Sequence, residues 1–271
     1  TLRFYRESLL LFCNWGSEFG YTYPRDMDVN MVKQYCIYLR EQRKIKATSI
    51  KTNFRAVNAF LHFLMENGYI PVFPYKIRLP RPDPALVLPL TSGEVEHLIA
   101  TIARSNEDSL RDMLIFRLMV DCGMRSSEVR HLRLEHLDME KRLLHVVDSK
   151  CNKSRLLPMP EAVAILLRLY LGGRYPGNGL ALLDKDGGGL TVDVLKNFFR
   201  KLKKRSGIQR IHAHLLRHTF ATSYMVSHNN IEYLRLYLGH EDYNVTRGYI
   251  HLASQCLLTH YDCYQIDPCF V

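Results

Sequence analysis

Four short segments of this chain hold the side chains suited to chemistry. The first is Asp121-Cys122-Gly123-Met124-Arg125-Ser126-Ser127-Glu128-Val129 and the second Ser149-Lys150-Cys151-Asn152-Lys153-Ser154-Arg155. The third is His214-Leu215-Leu216-Arg217-His218-Thr219-Phe220-Ala221-Thr222. The last is Leu238-Gly239-His240, with Thr246-Arg247-Gly248-Tyr249-Ile250-His251 just beyond it. Arginine, lysine, histidine and tyrosine in this mixture suit attack on a phosphodiester. In-line displacement at phosphorus puts negative charge on the non-bridging oxygens and on the leaving oxygen. Two guanidiniums, here Arg125 and Arg217, can clamp those oxygens with several donors each, and they keep their charge. Such stabilisation is aimed at the transition state and can replace a metal ion. His214 and Arg217 are three residues apart, so on a helix they share a face and can reach one phosphate. A tyrosine, with an unperturbed pKa of about 10, is a poor nucleophile at neutral pH. Adjacent cations are expected to lower that value, with His214 accepting or relaying the proton. On residue type alone Tyr249 has rivals, for the chain holds 16 tyrosines and Tyr233, Tyr237, Tyr243, Tyr261 and Tyr264 lie nearby.

Each group also has a plainer reading when taken singly. Arg125 can be a structural partner of Glu128, Lys150 and Lys153 ordinary turn residues, and His240 a neutraliser of a helix C-terminus. His214 and His218 stand one turn apart, as metal ligands do, with His212 close by. No Glu joins them in a His-Glu-x-x-His pattern, so no metal is expected. What favours the joint reading is that one reaction needs all of these residue types together.

The elements that must position these groups are mostly helical. Val32, Tyr35, Cys36 and Leu39 fall on one helical face behind Asp28, a candidate N-cap. Ile50, Phe54, Val57, Leu61 and Leu64 form a second stripe, and that helix should stop at Asn67-Gly68. Pro71, Pro74, Pro80, Pro82, Pro84 and Pro89 then exclude helix and disfavour strand pairing, so an extended linker is expected. Beyond it Thr91 and Glu94 form a capping box, with Leu90 and Val95 as its hydrophobic staple. Helices are expected to about Leu137. The β-prone runs Arg142–Val147 and Arg155–Pro158 flank the polar stretch Asp148–Ser154 and predict a hairpin with Lys150 at its tip. Gly187-Gly188-Gly189 reads as a loop, since no Gly-Lys-Ser/Thr follows it.

The formal charge is +10 with a pI near 9.3, an excess that favours a polyanionic partner. No apolar run approaches the roughly 18 residues of a membrane span, and no signal-peptide pattern opens the chain. Nucleic acid is therefore expected rather than a membrane. Thr1 in place of Met is read as following residues that were either removed or left out of the chain. Seven cysteines, at 13, 36, 122, 151, 256, 263 and 269, form no Cys-x-x-Cys pair. Reduced thiols in a reducing compartment are expected, mostly as small core residues. Residues 1–88 hold 13 Lys and Arg against 7 Asp and Glu, over half the excess charge in a third of the chain. Arg43, Lys44, Lys46, Lys51 and Arg55 lie on the polar faces there, and Lys201, Lys203 and Lys204 crowd a short helix with Lys196, Arg200 and Arg205. DNA contact is expected for both sets, a merely solvated face being the alternative.

In this order and at these intervals the four segments closely resemble the tyrosine recombinase (lambda integrase-like) family, with the Xer recombinases nearest in layout. The resemblance is close over about residues 90–251 and loose over the helical first part. It implies that Arg125, Lys150, His214, Arg217 and His240 are catalytic and that Tyr249 is the nucleophile, singled out by its interval from His240. Lys150 would then protonate the departing 5′ oxygen, and His240 would donate a hydrogen bond to a phosphate oxygen. This chain departs from the family pattern in having Ser149 and Cys151 rather than glycines beside Lys150. It also has Leu215 after His214, where Asp is common, and Gly248 before Tyr249, where a glycine weakens helix.

The resemblance further implies a mainly α fold in two domains. A small helical, SAM-like core-binding domain would occupy residues 1–75 and a proline-rich linker 76–89. Residues 90–271 would form a mostly helical catalytic domain with a small antiparallel β-sheet. The two domains would clamp duplex DNA. Two transesterifications through a 3′-phosphotyrosine conserve the number of phosphoester bonds, so no cofactor, neither ATP nor metal, is expected. The implied partners are double-stranded DNA with a specific recombination site, three further copies of the chain on two such sites, and accessory DNA-bending proteins. No membrane partner is expected, and the implied compartment is the cytoplasm. The biological task would be integration, transposition, or resolution of a mobile element or chromosome dimer. The apolar tail Cys256–Val271 would dock on a neighbouring protomer, packing on its own domain being the alternative. A type IB topoisomerase-like enzyme and a non-catalytic DNA-binding module are the rival readings; an intact set of six residues argues against the second.

Overall fold

The structure is a computed structural model that describes residues 2–73, 87–104, 108–148, 153–172, 179–240, 243 and 246–250. The chain divides into two compact units, Thr1–Leu86 and Val87–Val271.

The first unit is helical, with α1 Leu2–Glu18, α2 Val29–Ile37 and α3 Ala47–Glu66. Asp28 caps α2 by accepting from the Met31 N–H at 2.7 Å, a contact worth about 1 kcal/mol. Both expected stripes face inward: Val32, Tyr35 and Leu39 are buried with Ile50, Phe54, Val57, Leu61 and Leu64, while Cys36 is only partly covered. Trp15 of α1 completes this core, with the rings of Phe12, Phe19, Tyr21, Tyr35 and Tyr38 around it. Helix α3 ends where expected, Asn67 at its C-cap and Gly68 at φ 72°. Most of the proline-rich segment, residues 74–86, lies outside the described residues.

The second unit opens with α4 Ser92–Ala103, whose capping box is formed by Thr91 N–H to Glu94 Oε2 at 2.9 Å and Glu94 N–H to Thr91 Oγ1 at 3.2 Å. Helices α5 Ser109–Val120 and α6 Ser126–Arg130 follow. A three-stranded antiparallel sheet comes next, in the order β1 Leu137–Asp138, β2 Leu143–Asp148, β3 Lys153–Pro158. The expected hairpin is thus present, with Leu144 opposite Leu157 and Val146 opposite Arg155. Strand β1 is an addition that two residues were too short to announce. Helices α7 Glu161–Leu171, α8 Val192–Ser206, α9 Ala213–His228 and α10 Ile231–Leu238 complete the unit, before a helical stretch at 246–250. Helix α5 is buried along most of its length and packs against α4, α7 and α9. One continuous apolar core runs from Leu90 to Leu216, and a smaller cluster forms between α9, α10 and the 246–250 stretch. Of the described cysteines only Cys122 is a core residue; Cys13 is exposed and Cys36 intermediate. Among the described residues no helix is long and apolar enough to cross a membrane.

Candidate active site

Two left-handed glycines shape the floor of the site. Helix α5 ends at Val120, and the chain turns through Gly123 at φ 65°. A Cβ on Gly123 would stand 2.4 Å from Cδ1 of Phe220, so only glycine fits between α5 and α9. Gly239, at φ 62°, closes α10, and a Cβ there would press on the Arg155 guanidinium at 3.2 Å. Each turn presents backbone carbonyls to an arginine. Arg217, on the first turns of α9, donates through Nη1 to Gly123 O at 2.6 Å and through Nη2 to Leu238 O. It is buried, and burial together with the charge of Arg125 pulls its pKa down to about 9, so it stays charged at neutral pH.

Glu128 is the hub of the arrangement. Arg125 is the N-cap of α6, and Glu128 sits three residues on, accepting from the Arg125 backbone N–H at 2.7 Å and from Arg125 Nη1 at 2.8 Å. Arg155, reaching in from β3, makes a two-pronged contact with the same carboxylate at 2.9 and 2.8 Å and donates to Tyr237 O at 2.6 Å. Arg217 Nη1 lies 4.0 Å from the same group. Burial pushes the Glu128 carboxyl up, but the bonds and charges of Arg155 and Arg125 outweigh it and hold the pKa at about 2. Three guanidiniums around one carboxylate leave an excess of positive charge at this spot, which attracts an anion. The Arg125 side chain is a third exposed, against 5% for Glu128, so Arg125 is the arginine that keeps a solvent-facing side.

The low Glu128 pKa has a consequence for stability. A carboxyl whose pKa falls on folding stabilises the fold above its unfolded pKa, and that contribution disappears as pH falls through the folded value. From the ordinary 4.5 to about 2, this amounts to roughly 3 kcal/mol at neutral pH, of which about 2 is gone by pH 3. Glu128→Gln is therefore expected to cost about 3–5 kcal/mol at pH 7, since it strands buried cations. The penalty should shrink markedly at pH 3. Urea unfolding at the two pH values checks this; an equal penalty at both would show that the charge is not what Glu128 contributes.

His240 follows Gly239, with Nε2 at 3.3 Å from Arg217 Nη2 and Nδ1 at 3.0 Å from Thr246 Oγ1. Burial and the charges of Arg217, Arg125 and Arg155 bring its pKa to about 4, so it is neutral at pH 7. In the DNA-free protein its Nε2 accepts from Arg217, because a guanidinium nitrogen can only donate. His214 stands in the first turn of α9, exposed at its edge. What shielding it has, with the charges of Arg217, His212 and Arg125, lowers its pKa, so it too is neutral and able to accept a proton. Tyr249 is half-buried on the 246–250 stretch, against the cluster of Phe220, Leu234 and Leu238. Its ring lies 5.2 Å from that of His218, whose Nε2 donates to Val87 O at 2.7 Å.

The expected lowering of the tyrosine pKa is corrected by the structure. Burial raises the Tyr249 pKa, and the opposing pull of Arg217 and Arg125 is smaller, so the phenol is firmly neutral in the DNA-free protein.

Arg125, Arg217, His240, His214 and Tyr249 thus come from separate segments into one neighbourhood, while Lys150 lies outside the described residues. Arg43, Lys44, Lys46, Lys51 and Arg55 are all exposed on the first unit. On α8 Lys201 and Lys204 are exposed and Lys203 is half-covered, opposite the buried Leu195, Phe198, Phe199 and Leu202. Among the described residues no cluster of His, Cys, Asp and Glu could hold a metal ion. Sequence reasoning passed over Arg155, though a signal existed. In β3 it falls two residues before Leu157, on the inward side of the pleat, where an arginine must find a carboxylate.

The phage integrase family model matches residues 89–255. A tyrosine recombinase XerD from Lacticaseibacillus casei is 30% identical over 267 residues, covering 95% of this chain and 89% of that protein. Among solved structures, the Tn1549 transposon integrase in complex with a circular intermediate DNA superposes with a TM-score of 0.72 at 19% identity, over 83% of this chain and 81% of that one. The XerH site-specific recombinase bound to a palindromic difH substrate, in a post-cleavage complex, does so at 0.71 and 23% identity, over 85% and 70%.

Proposed function

Because this chain belongs to the phage integrase family, we propose that Arg125, Lys150, His214, Arg217, His240 and Tyr249 form the catalytic centre of its DNA strand exchange. The protein is a site-specific DNA recombinase of the tyrosine type, and its partner is double-stranded DNA. The observation that carries the assignment of roles is the convergence of Arg217, Arg125 and His240 beside Tyr249. Arg125 and Arg217 hold the non-bridging oxygens of the scissile phosphate. Tyr249 attacks phosphorus in line while His214, neutral and unprotonated, receives or relays the phenolic proton. Lys150 gives a proton to the departing 5′ oxygen. The bond from phosphorus to that oxygen breaks as the bond to Tyr249 forms. A 5′ hydroxyl from another strand then reverses the step and restores the free phenol.

The division of labour proposed for the chain is a core-binding domain at 1–75, a linker at 76–89 and a catalytic domain at 90–271. Four copies would act on two DNA sites, assisted by DNA-bending proteins, in the cytoplasm. The task would be integration, transposition or resolution. Incubation with nicked duplexes carrying the native site tests the assignment: a trapped covalent complex whose phosphopeptide contains Tyr249 supports it, and attachment elsewhere overturns it.

DNA affinity should depend strongly on salt. If Lys44, Lys46, Lys51 and Arg55 contact phosphates, each change to Ala lowers the log–log salt slope by about 1. A slope unmoved by all four changes together would mean that this face of the first unit is only solvated.

A further inference from the structure

Thr246 is a fully buried polar residue with no part in the roles assigned so far. Its Oγ1 lies 3.0 Å from His240 Nδ1, and the other ring nitrogen of His240 faces Arg217 Nη2 at 3.3 Å. These two contacts fix the position of the imidazole hydrogen. Arg217 Nη2 offers only hydrogens, so Nε2 must present its lone pair, and a neutral ring then carries its single hydrogen on Nδ1. The opposite tautomer would set two N–H groups face to face across 3.3 Å. Thr246 Oγ1 is therefore the acceptor for Nδ1–H. Thr246 also stands three residues before Tyr249 on the same helical stretch, so the bond runs between the arginine clamp and the element that bears the phenol.

We propose that Thr246 is a positioning residue: by accepting from Nδ1 it holds the His240 ring with its Nε2 lone pair ready to take up the proton with which it donates to phosphate, and it anchors the Tyr249 stretch to Arg217 through His240. This rests on the reading of His240 and Tyr249 given above and extends it to what His240 does before DNA arrives. In the DNA-free protein its Nε2 takes hydrogens rather than giving them. It becomes a donor to phosphate only by gaining a proton. Partners that orient a metal-bound histidine through its other nitrogen commonly change activity by about 10–100-fold when removed, and an effect of that order is expected for His240.

The test compares Thr246→Val, which keeps the shape and removes the oxygen, with Thr246→Ser, which keeps the oxygen. Long-range proton–nitrogen NMR of ¹⁵N-histidine protein, with His240 assigned by His240→Gln, reads the tautomer directly. Wild type and Thr246→Ser should show an Nδ1–H shifted downfield and protected from exchange by its hydrogen bond, and Thr246→Val should lose that signature. On a nicked half-site Thr246→Val should bind like wild type but form the covalent complex about 10–100-fold more slowly, with Thr246→Ser close to wild type. An Nε2–H tautomer in the wild-type protein overturns the proposal even if Thr246→Val fails to fold. So does a Thr246→Val protein in which either the hydrogen-bonded Nδ1–H signature or the rate is unmoved. Tyr249→Phe run in parallel separates the two readings: if it still forms a covalent complex the nucleophile assignment is at fault, whereas the tautomer result stands by itself.

Discussion

Tyr249→Phe is expected to abolish covalent attachment to DNA while leaving affinity for a half-site within about twofold. The ring itself packs against Phe220, Leu234 and Leu238 and meets His218, and phenylalanine keeps all of that surface. What is lost is one hydroxyl, a small part of a basic interface whose affinity comes mostly from phosphate contacts. With Tyr249 as the nucleophile the chemical loss is complete, because phenylalanine has no oxygen to bond to phosphorus. Denaturing electrophoresis after incubation with a nicked half-site measures the attachment, and a gel-shift titration measures affinity. Tyr243 is the nearest rival in sequence and is exposed. A phosphopeptide containing Tyr243 from either protein would transfer the nucleophile there.

Lys150→Ala should slow cleavage of ordinary DNA by about 10²–10⁴-fold, and hardly slow cleavage of DNA with sulfur at the 5′ bridging position. A departing alkoxide is a strong base and needs a proton as the bond breaks, whereas a thiolate leaves without one. The other basic groups of the site are committed elsewhere. Arg155 is bonded to Glu128 and to Tyr237 O, Arg217 to two carbonyls, and His240 and His214 are neutral at pH 7. Strands β2 and β3 pair as far as Asp148 opposite Lys153, so the residues between them, Lys150 included, join two strands that lead into the Glu128 cluster through Arg155. Single-turnover rates on the two substrates decide the matter. Equal defects on both would make Lys150 a phosphate-binding residue instead of an acid.

The helices of both units were legible from the sequence because their signals are local. A stripe such as Ile50, Phe54, Val57, Leu61 and Leu64 buries itself whatever it packs against, and Asp28 and the Thr91–Glu94 pair cap helices with atoms a turn away. Residue types and spacing likewise pointed to Arg125, His214 and Arg217 as groups suited to a phosphodiester, whereas His240 and Tyr249 stood out only through the resemblance to the family. The sequence could not rank Glu128 above its neighbours, because its importance lies in Arg155, 27 residues away and on another element. Nor could it assign protonation. Nearby arginines argued for a lowered phenol pKa, but the tertiary structure buries Tyr249, and desolvation outweighs those charges. The hydrogen on His240 was equally out of reach, being set by Arg217 on one side of the ring and Thr246 on the other. Composition and spacing determine which groups are present; only folding determines how far each is removed from water and which partner it faces, and those two quantities fix where the protons are.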